Sequence, residues 1–325
     1  MNVPLWGWLL TVGVVSAVIL TDLVVSVRRP HTPSLREAAW WSTFYVVAAV
    51  VFGVGVWVVS GHQYGAEFFA GYVTEKSLSV DNLFVFMLIM TAFRVPAVHR
   101  HMVLLVGVAL ALILRGVFIA LGAALIATFS WIFFVFGAIL VWTAFSMLRG
   151  KERTEYHEPW VVRKIRQVLP VTDDYVGNKL VVKRDGRRWI TPMFIVILAI
   201  GCADVLFAAD SIPAIFGITQ EAYLVFTANA FALMGLRQLY FLVGGLVERL
   251  AYLAHGLSII LLFIGGKLFL HAFHEYELVP AWLDINTWVS LGVIVLILAV
   301  TTLASLAASR RSGVQRDTAD ELTRT

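Results

Sequence analysis

Nine long apolar runs dominate this sequence and limit what the chain can fold into. Each run is about 18 to 28 residues long, and roughly 20 helical residues cross the hydrocarbon core of a bilayer. The longer runs can be accommodated by tilting. The sequence therefore predicts an all-α, polytopic membrane protein, with a transmembrane domain over residues 1–308 and nine spans at 5–27, 40–60, 66–93, 102–127, 131–148, 192–218, 222–247, 253–273 and 288–308.

The composition supports a membrane protein. Hydrophobic residues make up 60% of the chain and charged residues only 14%, whereas soluble domains have about 45–50% and about 25%. The isoelectric point of 9.3 would fit a nucleic-acid-binding protein, but the basic residues lie in alternate loops, so no nucleic-acid partner is expected. No zinc-protease, serine-hydrolase or P-loop motif is present in the sequence, so we expect neither an enzyme nor a bound cofactor.

The basic residues also predict the topology. Twenty-one of the 25 lysines and arginines lie in loops that share one side of the membrane if the nine spans alternate, and the loops of the other side hold none. By the positive-inside rule the N-terminus is outside and the C-terminus is cytoplasmic. The cytoplasmic side then receives the long loop 149–191 and a tail, 309–325, which we expect to be disordered. The four remaining bases lie inside spans: Lys76, Arg115, Arg237 and Lys267.

The loop 149–191 has two local patterns. Residues 160–169 alternate apolar and basic side chains, which fits either a short interfacial helix on anionic lipid or a solvated linker. Residues 179–189 predict a small hairpin around Asp185-Gly186, a pair that favours a tight turn.

Acidic residues recur in the middle of spans 3 and 6. An ionisable side chain at the centre of a membrane helix costs about 2.5–3.5 kcal/mol on insertion scales, so such residues usually mark a functional site. Each of the two spans carries two acids six residues apart, followed directly by Asn or Ser. The candidate ligands are Glu75, Asp81 and Asn82 in span 3, and Asp204, Asp210 and Ser211 in span 6.

The two motifs predict an inverted repeat of spans 3–5 and spans 6–8. Spans 3 and 6 cross the membrane in opposite directions, and each is followed by a span with a central arginine, Arg115 or Arg237. Many transporters bind their substrate at such a repeat interface, near the bilayer midplane.

Helical geometry leaves the arrangement of the four acids open. In each span, the first acid lies on the same face of the helix as the residue that follows the second acid. The second acid itself lies about 120° away around a straight helix. For Asp81 and Asp210 to reach Glu75 and Asp204, the helices must break locally; otherwise the acids face different neighbours. Pro213 favours a break in span 6, because proline removes a backbone hydrogen bond.

The donor set predicts a hard divalent cation. Carboxylate, amide and hydroxyl oxygens suit Mn²⁺, Mg²⁺ or Ca²⁺, and Cys202 is interpreted as a packing residue. The alternative is that the acids and the four buried bases neutralise one another as structural ion pairs. Asp22, near the inner end of span 1, is a fifth candidate acid that could equally cap a helix end.

With these motifs, the chain resembles the TerC/Alx family of integral membrane proteins, named for tellurium resistance. The resemblance rests on Phe69-Ala70-Gly71-Tyr72 before the first motif, on the second motif, and on residues 231–237 and 289–293. It implies a multi-pass protein of the bacterial inner membrane that is linked to Mn²⁺ efflux. It also implies that the metal ligands are Glu75, Asp81, Asp204 and Asp210, with Asn82 and Ser211.

One position departs from the family pattern. Relatives often carry an acid three residues before the position of Asp204, where this chain has Gly201, which puts the preferred metal in doubt. Tellurite is an anion that buried carboxylates would repel, so we interpret a tellurium phenotype as indirect.

Two functional hypotheses follow. The first is export of a divalent cation, most simply Mn²⁺, by alternating access with inward protons as the counter-ion. The second is a membrane scaffold that binds partners through the loop 149–191, with the buried charges purely structural. The oligomeric state is not predicted.

Overall fold

The structure is a computed structural model that describes residues 1, 3–28, 34–149, 158–177, 179–184, 186–243, 252–280 and 285–322. Within these ranges, the side chains of residues 23–28, 81, 243, 306 and 309–322 lie outside the description.

The described chain is almost entirely helical. The all-α, polytopic fold predicted from the apolar runs is confirmed. The elements, in chain order, are α1 (Leu5–Arg28), α2 (Leu35–Ser60), α3 (His62–Ala92), α4 (Ala97–Thr128), α5 (Ile132–Leu148), α6 (Trp160–Val168), β1 (Val181–Arg184), β2 (Arg187–Ile190), α7 (Pro192–Phe216), α8 (Ala222–Met234), α9 (Leu236–Val243), α10 (Leu253–Glu275) and α11 (Thr287–Leu322).

Within the described residues, six helices are long and apolar enough to cross a membrane: α1, α2, α4, α7, α10 and α11. The 17-residue α5 is apolar but short, and the 31-residue α3 contains four acidic and basic residues. Span 7 is divided into α8 and α9 at Gly235, whose backbone lies outside the helical region at φ −96° and ψ 5°. The count of nine spans and their orientation therefore remain predictions.

The loop between α5 and α7 has the local structure that its sequence predicts. Strands β1 and β2 pair antiparallel, with Arg184 opposite Arg187. Gly186 in the connecting turn has φ +76°, a backbone conformation that glycine adopts without steric cost. The hairpin prediction is confirmed, and the basic-apolar segment forms helix α6, with Val162 fully buried.

The C-terminal segment differs from the expectation. The backbone of α11 continues as a helix to Leu322, through most of the tail that was expected to be disordered. Arginine is the most frequent residue of the tail, with four occurrences, and arginine has good intrinsic helix propensity.

The helix pairings agree with an inverted repeat. The most extensive pairings are α5 with α10, α3 with α8, and α4 with α7. If α3, α4 and α5 are exchanged for α7, α8 and α10, the α3–α8 and α4–α7 pairings become each other, and the α5–α10 pairing is unchanged. The α5–α10 contact depends on small residues, because a Cβ atom on Gly137 would lie 3.1 Å from the carbonyl oxygen of Gly265.

Along α4 and α7, two large apolar clusters are divided by depth. On α4 the predicted cytoplasmic half contributes residues up to Ala111 to one cluster, and the outer half contributes Ile119 to the other. On α7 the division falls between Ala203 and Ala208. Arg115 on α4 and Asp204 on α7 lie between the two clusters, so a polar layer forms near the middle of these spans.

Candidate cation site

Arg115 lies at the centre of this polar layer and joins four helices. Its side chain has no exposed surface. Its Nη1 group donates to the Glu75 carboxylate, to Asn229 Oδ1 at 2.9 Å and to Ser211 Oγ at 3.2 Å. Its Nη2 and Nε groups donate to Asp204 Oδ1 at 3.3 Å and 3.4 Å. One guanidinium therefore binds acids from both motifs.

Asn82 completes the set of acceptors around this arginine. In the amide orientation that satisfies both of its groups, Asn82 Oδ1 accepts from Arg115 Nη2 at 3.1 Å, and its amide nitrogen donates to the carbonyl of Leu78 at 3.1 Å. Glu75, Ser79 and Asn82 are all buried, which is the single stripe that their spacing predicts for a straight helix.

The two acids at the centre use only half of their hydrogen-bonding capacity. Glu75 Oε2 and Asp204 Oδ2 are buried and have no hydrogen-bond partner among the described residues, and the same holds for the hydroxyl groups of Thr74 and Ser79. A buried polar atom without a partner costs about 1–3 kcal/mol. The region around Arg115 therefore contains several oxygen atoms that a further positive group would stabilise.

The formal charge of the cluster also favours the binding of a further positive group. Two carboxylates facing one guanidinium leave a charge of −1 in a region that is closed to solvent. Burying uncompensated charge is unfavourable, so either a proton or a metal cation would relieve the excess. Oxygen donors of this kind favour hard cations.

The structure brings together some of the predicted ligands and separates others. Asp210 lies about 120° from Asp204 around α7 and is partly exposed, while the side chain of Asp81 lies outside the described residues. Helix α7 is continuous through Pro213, so the break that would have let the second acid turn inward is not observed. Among the described side chains, no three His, Cys, Asp or Glu residues are grouped to hold a metal ion. The predicted ligands that meet around Arg115 are Glu75, Asn82, Asp204 and Ser211.

The other predicted supporting charges lie away from this centre. Lys76 Nζ donates to the carbonyl of Ala232 at 3.0 Å, on α8. Arg237 donates to Asp22 Oδ1 at 2.6 Å and so links α9 to α1. Lys267 is 9% exposed and lines a cavity at the predicted outer end of the helices.

Gly201, where relatives often carry an acid, is a packing position in this chain. A Cβ atom on Gly201 would lie 2.8 Å from Leu110 Cδ2 on α4, closer than real Cβ contacts. A longer side chain would therefore require Leu110 to move, and α4 and α7 pack closely where an acid would otherwise stand.

Sequence reasoning missed three polar residues that the structure places in or near the site. Asn229 is fully buried and binds Arg115, and its position in an apolar helix was the available signal. Glu67 and Thr219, nearer the outer face, are buried and hydrogen-bonded to each other at 2.6 Å. Glu67 stands close to the start of its span, where an acid resembles an ordinary solvated helix end.

Known proteins share most of this sequence. Residues 60–313 match the sequence model of the integral membrane protein TerC family. An uncharacterized membrane protein of Mycobacterium tuberculosis is 42% identical over 316 residues, which cover 93% of this chain and 79% of the relative.

Two further relatives extend the range of organisms. An uncharacterized membrane protein of Myxococcus xanthus is 39% identical, over 94% of this chain and 93% of the relative. The thylakoid membrane protein TERC of Arabidopsis thaliana chloroplasts is 37% identical, over 83% of this chain and 70% of the relative. No solved structure matches the chain.

Proposed function

This chain belongs to the TerC family of integral membrane proteins, and we propose that it exports divalent metal cations, principally Mn²⁺, in exchange for protons. The proposed central ligands are Glu75 and Asp204, with Asn82 and Ser211 as neutral oxygen donors beside them. Asp81 and Asp210 are proposed to bind the cation on its way to or from this centre. The proposed location is the bacterial inner membrane.

One observation carries this proposal. Buried acids from α3 and α7, the first helices of the two repeats, meet on a single arginine, and in the part of the chain that the structure describes each keeps one oxygen atom without a partner. A purely structural ion pair would need only one acid for Arg115. The second acid and the unused oxygen atoms indicate a site that exchanges positive groups.

Arg115 then acts as a tethered cation. It holds the two carboxylates while no cargo is bound, and an arriving dication displaces the guanidinium toward Asn229 and Ser211, its neutral acceptors. The return of Arg115 helps to release the cargo, because it competes for the same oxygen atoms. The protein thereby avoids leaving two buried carboxylates without a counter-charge.

Export requires a source of energy. Moving two positive charges outward against a potential of about 100 mV costs roughly 4.6 kcal/mol, at about 2.3 kcal/mol per charge. A passive pore would therefore let the cation in. Inward movement of protons supplies the necessary energy, and buried carboxylates can bind either a proton or a cation.

The test is Mn²⁺ accumulation in inside-out membrane vesicles that maintain an acidic interior. We expect accumulation that depends on the proton gradient with the wild-type protein, and none with Glu75→Gln or Asp204→Asn. Glu275→Gln, at an exposed position at the end of α10, is the matched control and should accumulate Mn²⁺ normally. Failure of the wild-type protein to accumulate Mn²⁺ would overturn the proposal.

The second candidate function is a membrane scaffold. The observation in its favour is that Arg115 already supplies a counter-charge to both buried acids. If loop 149–191 alone restores metal tolerance to cells that lack the protein, the scaffold is supported. If full-length Asp204→Asn protein folds but gives no tolerance, transport is supported.

A further inference from the structure

A polar cavity of about 670 Å³ opens at the predicted outer ends of the helices. It is bounded by the start of α3, the turn between α7 and α8, the end of α10 and the residues before α11. Its polar lining residues include Gln63, Glu67, Thr219, Lys267 and His271.

Glu67 is the acid that lies deepest in this cavity. Only 7% of its surface is exposed. Its Oε2 atom accepts from the Thr219 hydroxyl at 2.6 Å, and its Oε1 atom accepts from Gln63 Nε2 at 3.2 Å. Thr219 in turn accepts from the backbone N–H of Glu221 at 3.2 Å. The carboxylate is therefore held in a fixed orientation at the base of the cavity.

Glu67 is on the same helix as the central acid Glu75. Their separation of eight positions corresponds to about 12 Å along the helix axis. Gly71 stands halfway, and a Cβ atom there would lie 3.3 Å from Ile215 Cγ2 and 3.4 Å from Ala228 Cβ. A short apolar contact between α3, α7 and α8 thus separates the outer cavity from the central site.

We propose that Glu67 is the residue through which protons enter the central site from the outer cavity. The proposal rests on the proposed proton-coupled export. A proton carried by water in the cavity binds the Glu67 carboxylate. When the contact at Gly71 opens, the proton moves inward to the cluster around Arg115, and Glu67 becomes a carboxylate again.

A proton fits this cavity better than a metal ion. Among the described side chains, no group of three His, Cys, Asp or Glu residues surrounds Glu67. The amine of Lys267 on α10 also lines the cavity and repels a dication more strongly than a single proton. Among the described residues, the other titratable groups that line the cavity are His62 and Tyr64 on α3, Glu221 before α8 and His271 on α10.

The experiment compares two activities of purified protein in proteoliposomes. The first is Mn²⁺ accumulation driven by a proton gradient. The second is exchange of labelled for unlabelled Mn²⁺ across the membrane, which requires no net proton movement. We expect Glu67→Gln to preserve exchange and to lower gradient-driven accumulation by about 100-fold, the lower end of the typical contribution of a positioned proton-transfer group.

Three variants control for the structural role of Glu67. Glutamine still offers an oxygen atom to Thr219, and Glu67→Asp keeps a titratable group, so it should restore part of the coupling. Thr219→Val removes the hydrogen bond but leaves the Glu67 carboxylate, and this variant should still accumulate Mn²⁺ under the proton gradient. Glu221→Gln neutralises another acid of the same cavity and should also remain coupled.

The outcomes separate this inference from the proposed function. If Glu67→Gln protein accumulated Mn²⁺ under the proton gradient as well as the wild-type protein does, the role of Glu67 would be overturned and the proposed export would stand. Equal loss of coupling in Thr219→Val and Glu67→Gln would also overturn it, because the residue would then only anchor the turn. Absence of exchange by the wild-type protein would overturn export itself.

Discussion

Replacing Arg115 with glutamine is predicted to be the most destabilising single change in the central site. The wild-type cluster has two carboxylates and one guanidinium, a formal charge of −1. Arg115→Gln changes this charge to −2, whereas Glu75→Gln changes it to zero. Removing one partner of a buried ion pair costs about 3–5 kcal/mol. We expect Arg115→Gln to lower the free energy of unfolding by about this amount, and Glu75→Gln to lower it much less.

A double substitution tests whether charge is the cause. Arg115→Gln combined with Glu75→Gln returns the formal charge to −1, so the second change should recover part of the stability lost in the first. Groups in direct contact usually show interaction energies of about 0.5–3 kcal/mol, and Arg115 binds Glu75 directly. We expect a value toward the upper end of this range.

The assay is reversible unfolding in mixed micelles, followed by the fluorescence of the 11 tryptophans. Adding Mn²⁺ extends the test to function, because a ligand present at about 100 times its Kd stabilises the folded state by about 2.7 kcal/mol. Wild-type and Arg115→Gln proteins should gain this stability, and Asp204→Asn should not. Equal stability of Arg115→Gln and Glu75→Gln would refute the reasoning, since the cluster would then have no excess of negative charge.

Three other predictions concern the helices around the site. Gly137→Leu should lower the free energy of unfolding by about 1–3 kcal/mol, because overpacking forces α5 and α10 apart; chemical denaturation measures this. Replacing Asp22 by Arg, or Arg237 by Asp, should each lower the free energy of unfolding, and making both changes together should restore most of it. The interaction energy between the two sites should be about 1 kcal/mol, because the pair is partly exposed. An environment-sensitive fluorophore attached at Val168→Cys should report contact of α6 with lipid, because that side of the helix is apolar and exposed. We expect its emission to shift to the blue and to be quenched by spin-labelled anionic lipid.

Two of these predictions, those for Gly137 and Val168, have a matched control variant. Gly292→Leu places the same side chain where nothing lies within 4 Å of the added Cβ atom, so its effect should be small. Gln167→Cys puts the fluorophore on the polar side of α6, where quenching by lipid should be weak; equal quenching at both positions would contradict an interfacial helix. Labelling uses a Cys202→Ser background, because Cys202 is the one cysteine of the chain.

The sequence predicted the features that depend on local periodicity. The buried stripe of Glu75, Ser79 and Asn82 follows from their spacing on one helix, and the hairpin follows from the Asp-Gly turn. The membrane class follows from the lengths of the apolar runs. Each of these properties is determined by neighbours within a few residues, so a single sequence suffices.

The sequence could not predict which charges meet across helices. Arg115 and Arg237 looked equivalent under the repeat, yet Arg115 binds both motif acids while Arg237 binds Asp22. Which neighbours a side chain reaches depends on helix rotation and depth, and these are determined by the packing of several helices together. Asn229 was missed for the same reason, since its only signal was a polar residue in an apolar helix.

The unequal roles of the two arginines also bear on how the halves move. In a transporter built from inverted repeats, the two halves exchange conformations around a fixed site. In this conformation the central acids hold Arg115, and the contact at Gly71 separates them from the outer cavity. Opening that side requires α3 to move away from Ile215 and Ala228. Glu75 would then shift relative to Asp204, loosening their shared hold on Arg115, so opening toward the outside and release of the arginine would be coupled through one helix.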